Sequence, residues 1–402
     1  MHQIRNRFQM PLLRPPALVF TLCLALTGAA CDSAESSVED DGGEGAAPGS
    51  GGTASGGTAH GGTAGGAGKS GTSGSAGTGT PPADPLPWLH VEGNRIKDPA
   101  GNDVILRGVS LIDLGVTELW EGGIRAMIDR LTKIDDTQGS SPGWYTRVVR
   151  LAVVPSDGES DSPIEYQAGS DAYYSTILRP AVDYALSKGL YVIIDWHYIE
   201  DTSLHRDTTN AFWADIAPRF AGDSHVMFEL YNEPINGGSW PSVKPDMQSF
   251  YDTVRSGAPQ NLVLVGTPNW SQVVGPAATD PIVGQNIVYV AHMYPLHWNN
   301  QSLRNQIVTA AAVHPVFITE WGFQSGSNNI LNGTISNYGT PFKQFLEDNE
   351  LSWTAWCASN NWGPPIFNTD YTLRVSEGEM GGFVKDFLYE KRDSNLPSEP
   401  AN

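Results

Sequence analysis

The stretch Leu190–His197 reads Leu-Tyr-Val-Ile-Ile-Asp-Trp-His, a nearly continuous apolar run that ends in polar and aromatic residues. Continuous rather than alternating hydrophobicity is expected of a parallel strand that is buried on both faces. Other runs of this kind follow Leu86, separated by stretches long enough for a helix. The eight predicted strands are Val104–Leu111, Arg147–Val154, Leu190–Asp195, Val226–Leu230, Leu262–Gly266, Ile287–Ala291, Val316–Thr319 and Ser352–Trp356.

Amphipathic stretches between these runs predict outer helices. They are Leu119–Ile134, Tyr173–Ser187, Met247–Ser256, Leu303–Val313 and Pro341–Asn349. Before the first run, two turn signals within Val91–Val104 predict a small hairpin that closes a barrel floor. Eight strand and helix pairs in about 310 residues predict an α/β fold, the (β/α)8 or TIM barrel. An open doubly wound sheet is disfavoured, because no Gly-rich nucleotide loop follows any strand.

The N-terminal part of the 402-residue chain differs in composition from the rest. Residues 1–30 carry arginines, a short apolar run and small residues before Cys31, which predicts an export signal and a secreted or cell-envelope protein. The stretch Leu26–Cys31 resembles a bacterial lipobox, so we expect either a lipid anchor at Cys31 or ordinary signal cleavage nearby. Residues 31–84 are rich in Gly, Ser, Thr and Ala and predict a disordered tether. The barrel domain is expected over residues 85–396.

The net charge of −20 excludes some classes of partner. Nucleic acid and anionic membranes both need a basic face, so neither is expected to bind, and the only predicted membrane contact is the possible lipid at Cys31. A neutral polysaccharide makes no such demand. We expect a monomer.

Polar and aromatic residues collect where the apolar runs stop, which is the end of a barrel at which chemistry occurs. The clusters lie at Arg150, Asp195-Trp196-His197, Tyr231-Asn232-Glu233-Pro234, His292-Met293-Tyr294, Glu320-Trp321-Gly322 and Trp356. Loop tryptophans such as Trp196, Trp321 and Trp362 have two interpretations, sugar stacking or core packing, whereas Trp144 and Trp213 are expected in the core.

Two of these residues, Glu233 and Glu320, each follow a hydrophobic strand directly. Hydrolysis of a glycosidic bond needs one carboxylic acid to protonate the leaving oxygen and one carboxylate to attack the anomeric carbon. Arg150 and Tyr294 could donate hydrogen bonds to Glu320 and keep it ionised as a nucleophile. Glu233 has no cation beside it in sequence, so burial could raise its pKa and suit it to be the general acid/base.

These motifs together resemble glycoside hydrolase family 5, the cellulase family. The resemblance is carried by Val148–Leu151, Ile194–His197, Asn232–Pro234, His292–Tyr294, Thr319–Gly322 and Trp353–Trp356. It implies that Asn232 binds the 2-hydroxyl of the sugar in the −1 subsite and that His197 and His292 line this subsite. It also implies that Tyr294 contacts the nucleophile and that Trp356 is a sugar platform. The segments 113–122 and 156–170 match no subfamily pattern.

The sequence therefore predicts a retaining, endo-acting hydrolase of a β-1,4-linked polysaccharide, an endo-β-1,4-glucanase above all. A β-mannanase or another β-glucan or xylan hydrolase on the same scaffold is the alternative enzyme. A carbohydrate-binding protein that kept the groove is the alternative outside the enzyme class. No His-x-x-x-His, His-x-His or Cys cluster occurs, so neither a metal nor a cofactor is expected.

Overall fold

The computed structural model describes residues 85–156, 162–327 and 330–398. An antiparallel pair, β1 (His90–Glu92) and β2 (Arg95–Lys97), precedes a closed parallel barrel. The barrel strands are β3 (Arg107–Leu111), β4 (Val148–Val153), β5 (Tyr191–Trp196), β6 (Val226–Glu229), β7 (Val263–Val265), β8 (Ile287–Met293), β9 (Val316–Trp321) and β10 (Ser352–Ala358). They pair in chain order, and β10 closes the ring against β3. The predicted barrel and all eight strands are confirmed, with ends shifted by a few residues.

The outer layer is helical. Its helices are α1 (Leu114–Trp120), α2 (Ile124–Thr132), α3 (Asp171–Tyr173), α4 (Arg179–Ser187), α5 (Arg206–Arg219), α6 (Trp240–Gly257), α7 (Pro268–Ser271), α8 (Pro295–Trp298), α9 (Gln301–Ala311), α10 (Thr340–Asp348) and α11 (Met380–Glu390). Two π-helical turns, Tyr174–Leu178 and Ile335–Gly339, precede α4 and α10, and two 3-10 turns lie at Thr202–Leu204 and Gly275–Ala278.

The helix predictions were incomplete in several places: they included neither α5 nor α11, and Met247–Ser256 covers only the C-terminal part of α6. The stretch predicted as one helix over residues 119–134 is broken between α1 and α2, where Gly122 and Gly123 adopt φ values of +81° and +98° that disfavour other residues. Helix α5 was missed. Its buried stripe begins with Thr209, and the alanines Ala211 and Ala214 lie on its exposed face, so its hydrophobic periodicity is weak.

The inside of the barrel is apolar at its floor and polar one layer higher. Leu89, directly before β1, and Ile96, in β2, pack with inward side chains of the barrel strands and close the floor. Side chains alternate between the two faces of a strand, so the next inward residue is two positions on. On five strands this step replaces an apolar side chain by a polar one: Val148 by Arg150, Ile193 by Asp195, Met227 by Glu229, Val290 by His292, and Phe317 by Thr319.

The predicted export signal, the possible anchor at Cys31 and the tether over residues 31–84 lie outside the described residues. Within the described part of the chain, none of the helices combines the length and the apolar character that a bilayer crossing requires.

Candidate active site

The two glutamates singled out by the sequence meet at one end of the barrel. Glu233 lies in the loop after β6, and Glu320 is the fifth residue of β9. One carboxylate oxygen from each, together with a ring nitrogen of His292, lie within 4.8 Å of one another. The Glu233 and Glu320 side chains are 13% and 6% exposed, so both are largely buried; the end of the barrel at which they lie is called the cleft below.

A β-bulge helps to aim Glu320. The register between β8 and β9 shifts, so that Ala291 pairs with Ile318 but His292 pairs with Glu320. A bulge places an extra residue on one strand and redirects the side chains beside it. Both Thr319 and Glu320 therefore turn toward the barrel axis, although neighbours in a regular strand would face opposite sides.

Glu320 is held as an anion by donors on both oxygens. Arg150 Nη1 donates to Oε1 across 2.9 Å, and the Tyr294 hydroxyl donates to Oε2 across 2.8 Å, as the sequence predicted. Burial alone would raise the pKa of Glu320, but the positive charges of His292 and Arg150 outweigh it and lower the pKa below its ordinary value.

Glu233 has the opposite character. Burial raises the pKa of its carboxyl group, and the negative charge of Glu320 adds to this effect. The Nδ1 atom of His292 lies 2.8 Å from Oε1 of Glu233, a partner that the sequence did not place there because the two residues are 59 positions apart. Burial would lower the pKa of His292, but Glu320, Glu229 and Glu233 raise it to about 10.

Below the pair, Arg150 is buried among three carboxylates. Its guanidinium nitrogens lie 2.7 Å from Glu229, 2.9 Å from Glu320 and 3.0 Å from Asp195. Glu229 and Asp195 are fully buried. Sequence reasoning gave neither a role, because Glu229 sits inside the run Val226–Leu230 and Asp195 was noted only as the polar end of its own run. The available signal was a carboxylate two residues beyond an apolar inward position of its strand.

The remaining predicted site residues surround the same cleft. Arg150 Nη2 donates to Oδ1 of Asn232 across 2.6 Å, and no described residue accepts a hydrogen bond from the buried Nδ2 of Asn232. The ring of His197 stacks on Trp356, with centroids 5.4 Å apart and planes 7° apart, and its Nδ1 lies 2.6 Å from Asp195. The cleft thus offers an amide donor and two stacked rings beside the glutamates.

Not every tryptophan near a strand end faces this cleft. Trp196 stacks on Phe212, and Trp321 packs against Trp353, all in the buried core. The stacking interpretation is therefore wrong for Trp196 and Trp321, since each points outward from its strand toward the helices. Trp144 and Trp213 are buried, as predicted.

Glu233, His292 and Glu320 could each offer one ligand atom to a metal ion. Both ring nitrogens of His292 already lie within hydrogen-bond distance of protein groups, Nδ1 at Glu233 and Nε2 at 3.0 Å from Thr319 Oγ1. A metal would have to replace one of these hydrogen bonds. The donor geometry fits a proton network better than a ligand set.

Comparison with known proteins agrees with this geometry. The family model described as cellulase, glycosyl hydrolase family 5, matches residues 98–362. Endoglucanase E-5 of Thermobifida fusca is 28% identical over 71% of this chain and 58% of its own length. Endoglucanase N of Pectobacterium atrosepticum is 30% identical over 67% of this chain and 56% of its own length.

The fold is also shared with solved structures. The crystal structure of a β-glucanase from Saccharophagus degradans superposes with a TM-score of 0.67 at 24% identity, covering 77% of this chain and 95% of that one. The chain spans a little over half the length of the curated relatives named above. Because the family model covers most of the barrel, including both glutamates, the chain belongs to the cellulase family, glycosyl hydrolase family 5.

Proposed function

We propose that this protein is a retaining endo-β-1,4-glucanase, with Glu320 as nucleophile and Glu233 as general acid/base. The observation that carries the proposal is the pair of carboxylates within one sugar-sized gap whose pKa values are displaced in opposite directions. Two carboxyl groups about 5 to 5.5 Å apart favour double displacement, whereas inversion needs about 6.5 to 9.5 Å to admit a water molecule.

In the first step, Glu320 attacks the anomeric carbon while Glu233 gives its proton to the leaving glycosidic oxygen. The products of this step are a glycosyl ester on Glu320 and an ionised Glu233. In the second step, Glu233 takes a proton from water, the water oxygen attacks the same carbon, and Glu320 leaves as a carboxylate. The sugar keeps its β configuration because it is inverted twice.

The neighbouring side chains have roles in this scheme. Arg150 and Tyr294 hold the nucleophile ionised and aimed. The Nδ2 group of Asn232 is placed to donate to a sugar hydroxyl, consistent with a contact to the 2-hydroxyl. His197 and Trp356 form a stacked pair beside the carboxylates, and Trp356 provides the platform for a sugar ring. His292 contacts the acid/base and lines the same subsite.

Aromatic rings at the rim favour a long substrate. Trp120, at the end of α1, is 63% exposed, and Trp362, after β10, is 38% exposed. Their loops follow the neighbouring strands β3 and β10, at the same end of the barrel as the glutamates. Buried Glu121, directly after Trp120, connects the two loops. Its carboxylate accepts hydrogen bonds from Ser359 Oγ at 2.6 Å and Asn360 N at 3.0 Å, both in the loop after β10. Exposed flat rings stack on sugar faces, so they support binding of a polysaccharide.

Relatives named as endoglucanases support glucan as the substrate class. The test is a panel of carboxymethylcellulose, mannan, xylan and mixed-linkage glucan, with new reducing ends as the readout. We expect the fastest release from the β-1,4-glucan. Faster release from mannan or xylan would replace the glucanase assignment, and no release from any polymer or aryl cellobioside would favour a binding protein. The anomer formed first, read by NMR, should be β.

A further inference from the structure

Resting on the proposed function, we propose that Glu229 is a positioning residue that governs both members of the catalytic pair through two separate hydrogen-bonded arms. Glu229 is the last residue of β6, four positions before Glu233, and its carboxylate is fully buried beneath the cleft. It cannot contact a sugar in the cleft directly, so any effect on the reaction passes through the groups it holds.

The first arm runs to the nucleophile. Glu229 Oε2 accepts from Arg150 Nε at 2.7 Å, and Oε1 accepts from Nη2 at 3.1 Å, a two-point pairing that fixes the plane of the guanidinium. In that plane, Nη1 is the nitrogen that donates to Glu320. Glu229 therefore determines where Arg150 presents its charge to the nucleophile.

The second arm runs to the acid/base through a hydroxyl group. Thr319 Oγ1 donates its single proton to Glu229 Oε1 at 2.9 Å, so the same oxygen must act as the acceptor toward His292 Nε2 at 3.0 Å. This fixes the proton of the neutral ring on Nε2. The proton exchanged with Glu233, 2.8 Å away, is then the one on Nδ1.

The charge of Glu229 completes the arrangement. Burial alone would raise the pKa of Glu229, but the charge of Arg150 lowers it to about 2. Glu229 is therefore an anion at every pH above this value. The pKa values of His197 and His292 both lie above the ordinary value. Burial raises the pKa of Asp195, so its charge is a condition of the balance. When Asp195 is ionised, both imidazoles are charged and Glu233 is protonated, the buried cations Arg150, His197 and His292 balance the anions Asp195, Glu229 and Glu320. Loss of the Glu229 charge would leave an excess positive charge that favours ionised Glu233.

The first test is Glu229→Gln, which keeps the shape and removes the charge, assayed on an aryl cellobioside across pH. Removal of an anion lowers the pKa of both Glu320, which sets the acid limb of the pH profile, and Glu233, which sets the basic limb. We therefore expect both limbs to move to lower pH by on the order of one unit. We also expect a large decrease in kcat and little change in KM. Asp136→Asn is the matched control, because Asp136 is a buried carboxylate 3.2 Å from Lys385, away from the cleft, and its loss should lower stability without moving either limb.

Thr319→Val separates the arms, since it removes the hydroxyl bridge and leaves the pairing between Glu229 and Arg150. The imidazolium loses its Nε2 acceptor, so the pKa of His292 falls and that of Glu233 rises. We expect the basic limb alone to move, and to higher pH. Unmoved limbs in both variants, with activity reduced equally at every pH, would overturn the role of Glu229.

A readout without turnover separates this inference from the proposed function. An inactive wild type would refute the proposed function alone. In that case, proton NMR of the wild type should still show a slowly exchanging Nε2–H of His292 that is lost in Thr319→Val. A wild-type ring protonated on Nδ1 alone would overturn the second arm.

Discussion

Arg150 Nη1 donates to Glu320 Oε1 across 2.9 Å, in a position where the arginine side chain is fully buried and the glutamate is 6% exposed. Screening by water is weak there, so the positive charge acts at nearly full strength on the carboxylate. Together with the positive charge of His292, this contact lowers the pKa of a buried glutamate and suits it to the proposed role of nucleophile.

The roles of the two glutamates can be separated by substrates with different leaving groups. Glu233→Ala should lose most activity on polymers but keep slow turnover of dinitrophenyl cellobioside, because a good leaving group needs no proton. Azide should rescue this variant and yield a β-glycosyl azide, whereas Glu320→Ala should remain inactive on both substrates. Equal losses without azide rescue in the two variants would contradict the assignment. Initial rates and NMR of the azide product are the measurements.

The buried guanidinium should contribute strongly to stability as well as to activity. Arg150→Ala leaves Asp195, Glu229 and Glu320 without their shared cation, and removal of one partner from a buried ion pair costs about 3 to 5 kcal/mol. Urea denaturation would measure the change in the free energy of unfolding. Lys343→Ala, which breaks a surface pair with Glu390, is the control and should cost about 1 kcal/mol or less. Similar costs for the two variants would refute this ranking.

Stability should depend on pH with a maximum between about 4.5 and 6.5. The folded-state pKa of His292, about 10, lies above its ordinary 6.5, so its contribution is complete below pH 6.5 and is lost as the pH rises toward 10. The folded-state pKa of Glu229, about 2, lies below its ordinary 4.5, so its contribution is complete above pH 4.5 and is lost as the pH falls toward 2.

Thermal unfolding across this range would test the pH dependence. We expect Tm to decline on both sides of the maximum, and His292→Gln to flatten the alkaline side while leaving the acid side steep. A wild-type Tm that keeps rising between pH 6.5 and 10 would show that His292 does not titrate as described.

The exposed tryptophans should matter more for long substrates than for short ones. Trp120→Ala and Trp362→Ala should each raise KM on carboxymethylcellulose by about fivefold, since one stacking ring is worth on the order of 1 kcal/mol, and should affect an aryl cellobioside less. Trp356→Ala should impair both substrates, because this ring lies beside the glutamates. Equal effects of Trp120→Ala on polymer and aryl cellobioside would argue against an extended binding surface.

Much of the molecule follows from the sequence alone. Eight nearly continuous apolar runs that alternate with amphipathic stretches favour a parallel sheet covered by helices, and their number favours the barrel over an open sheet. Both Glu233 and Glu320 come at the C-terminal ends of predicted strands. Because parallel strands have these ends on the same side of a barrel, the pattern also places the two glutamates at one end. Arg150 and Tyr294 were also assigned correctly as partners of Glu320.

The tertiary structure decided which side chains meet. Whether a strand residue faces the barrel axis or the helices depends on register, and a shift of one residue exchanges the two faces. The alternation therefore sends Trp196 into the core and Asp195 beneath the cleft, and the bulge at His292 turns Thr319 and Glu320 inward together. Contacts such as His292 to Glu233 join residues far apart along the chain, so closure of the barrel, rather than any local pattern, brings them within hydrogen-bond distance.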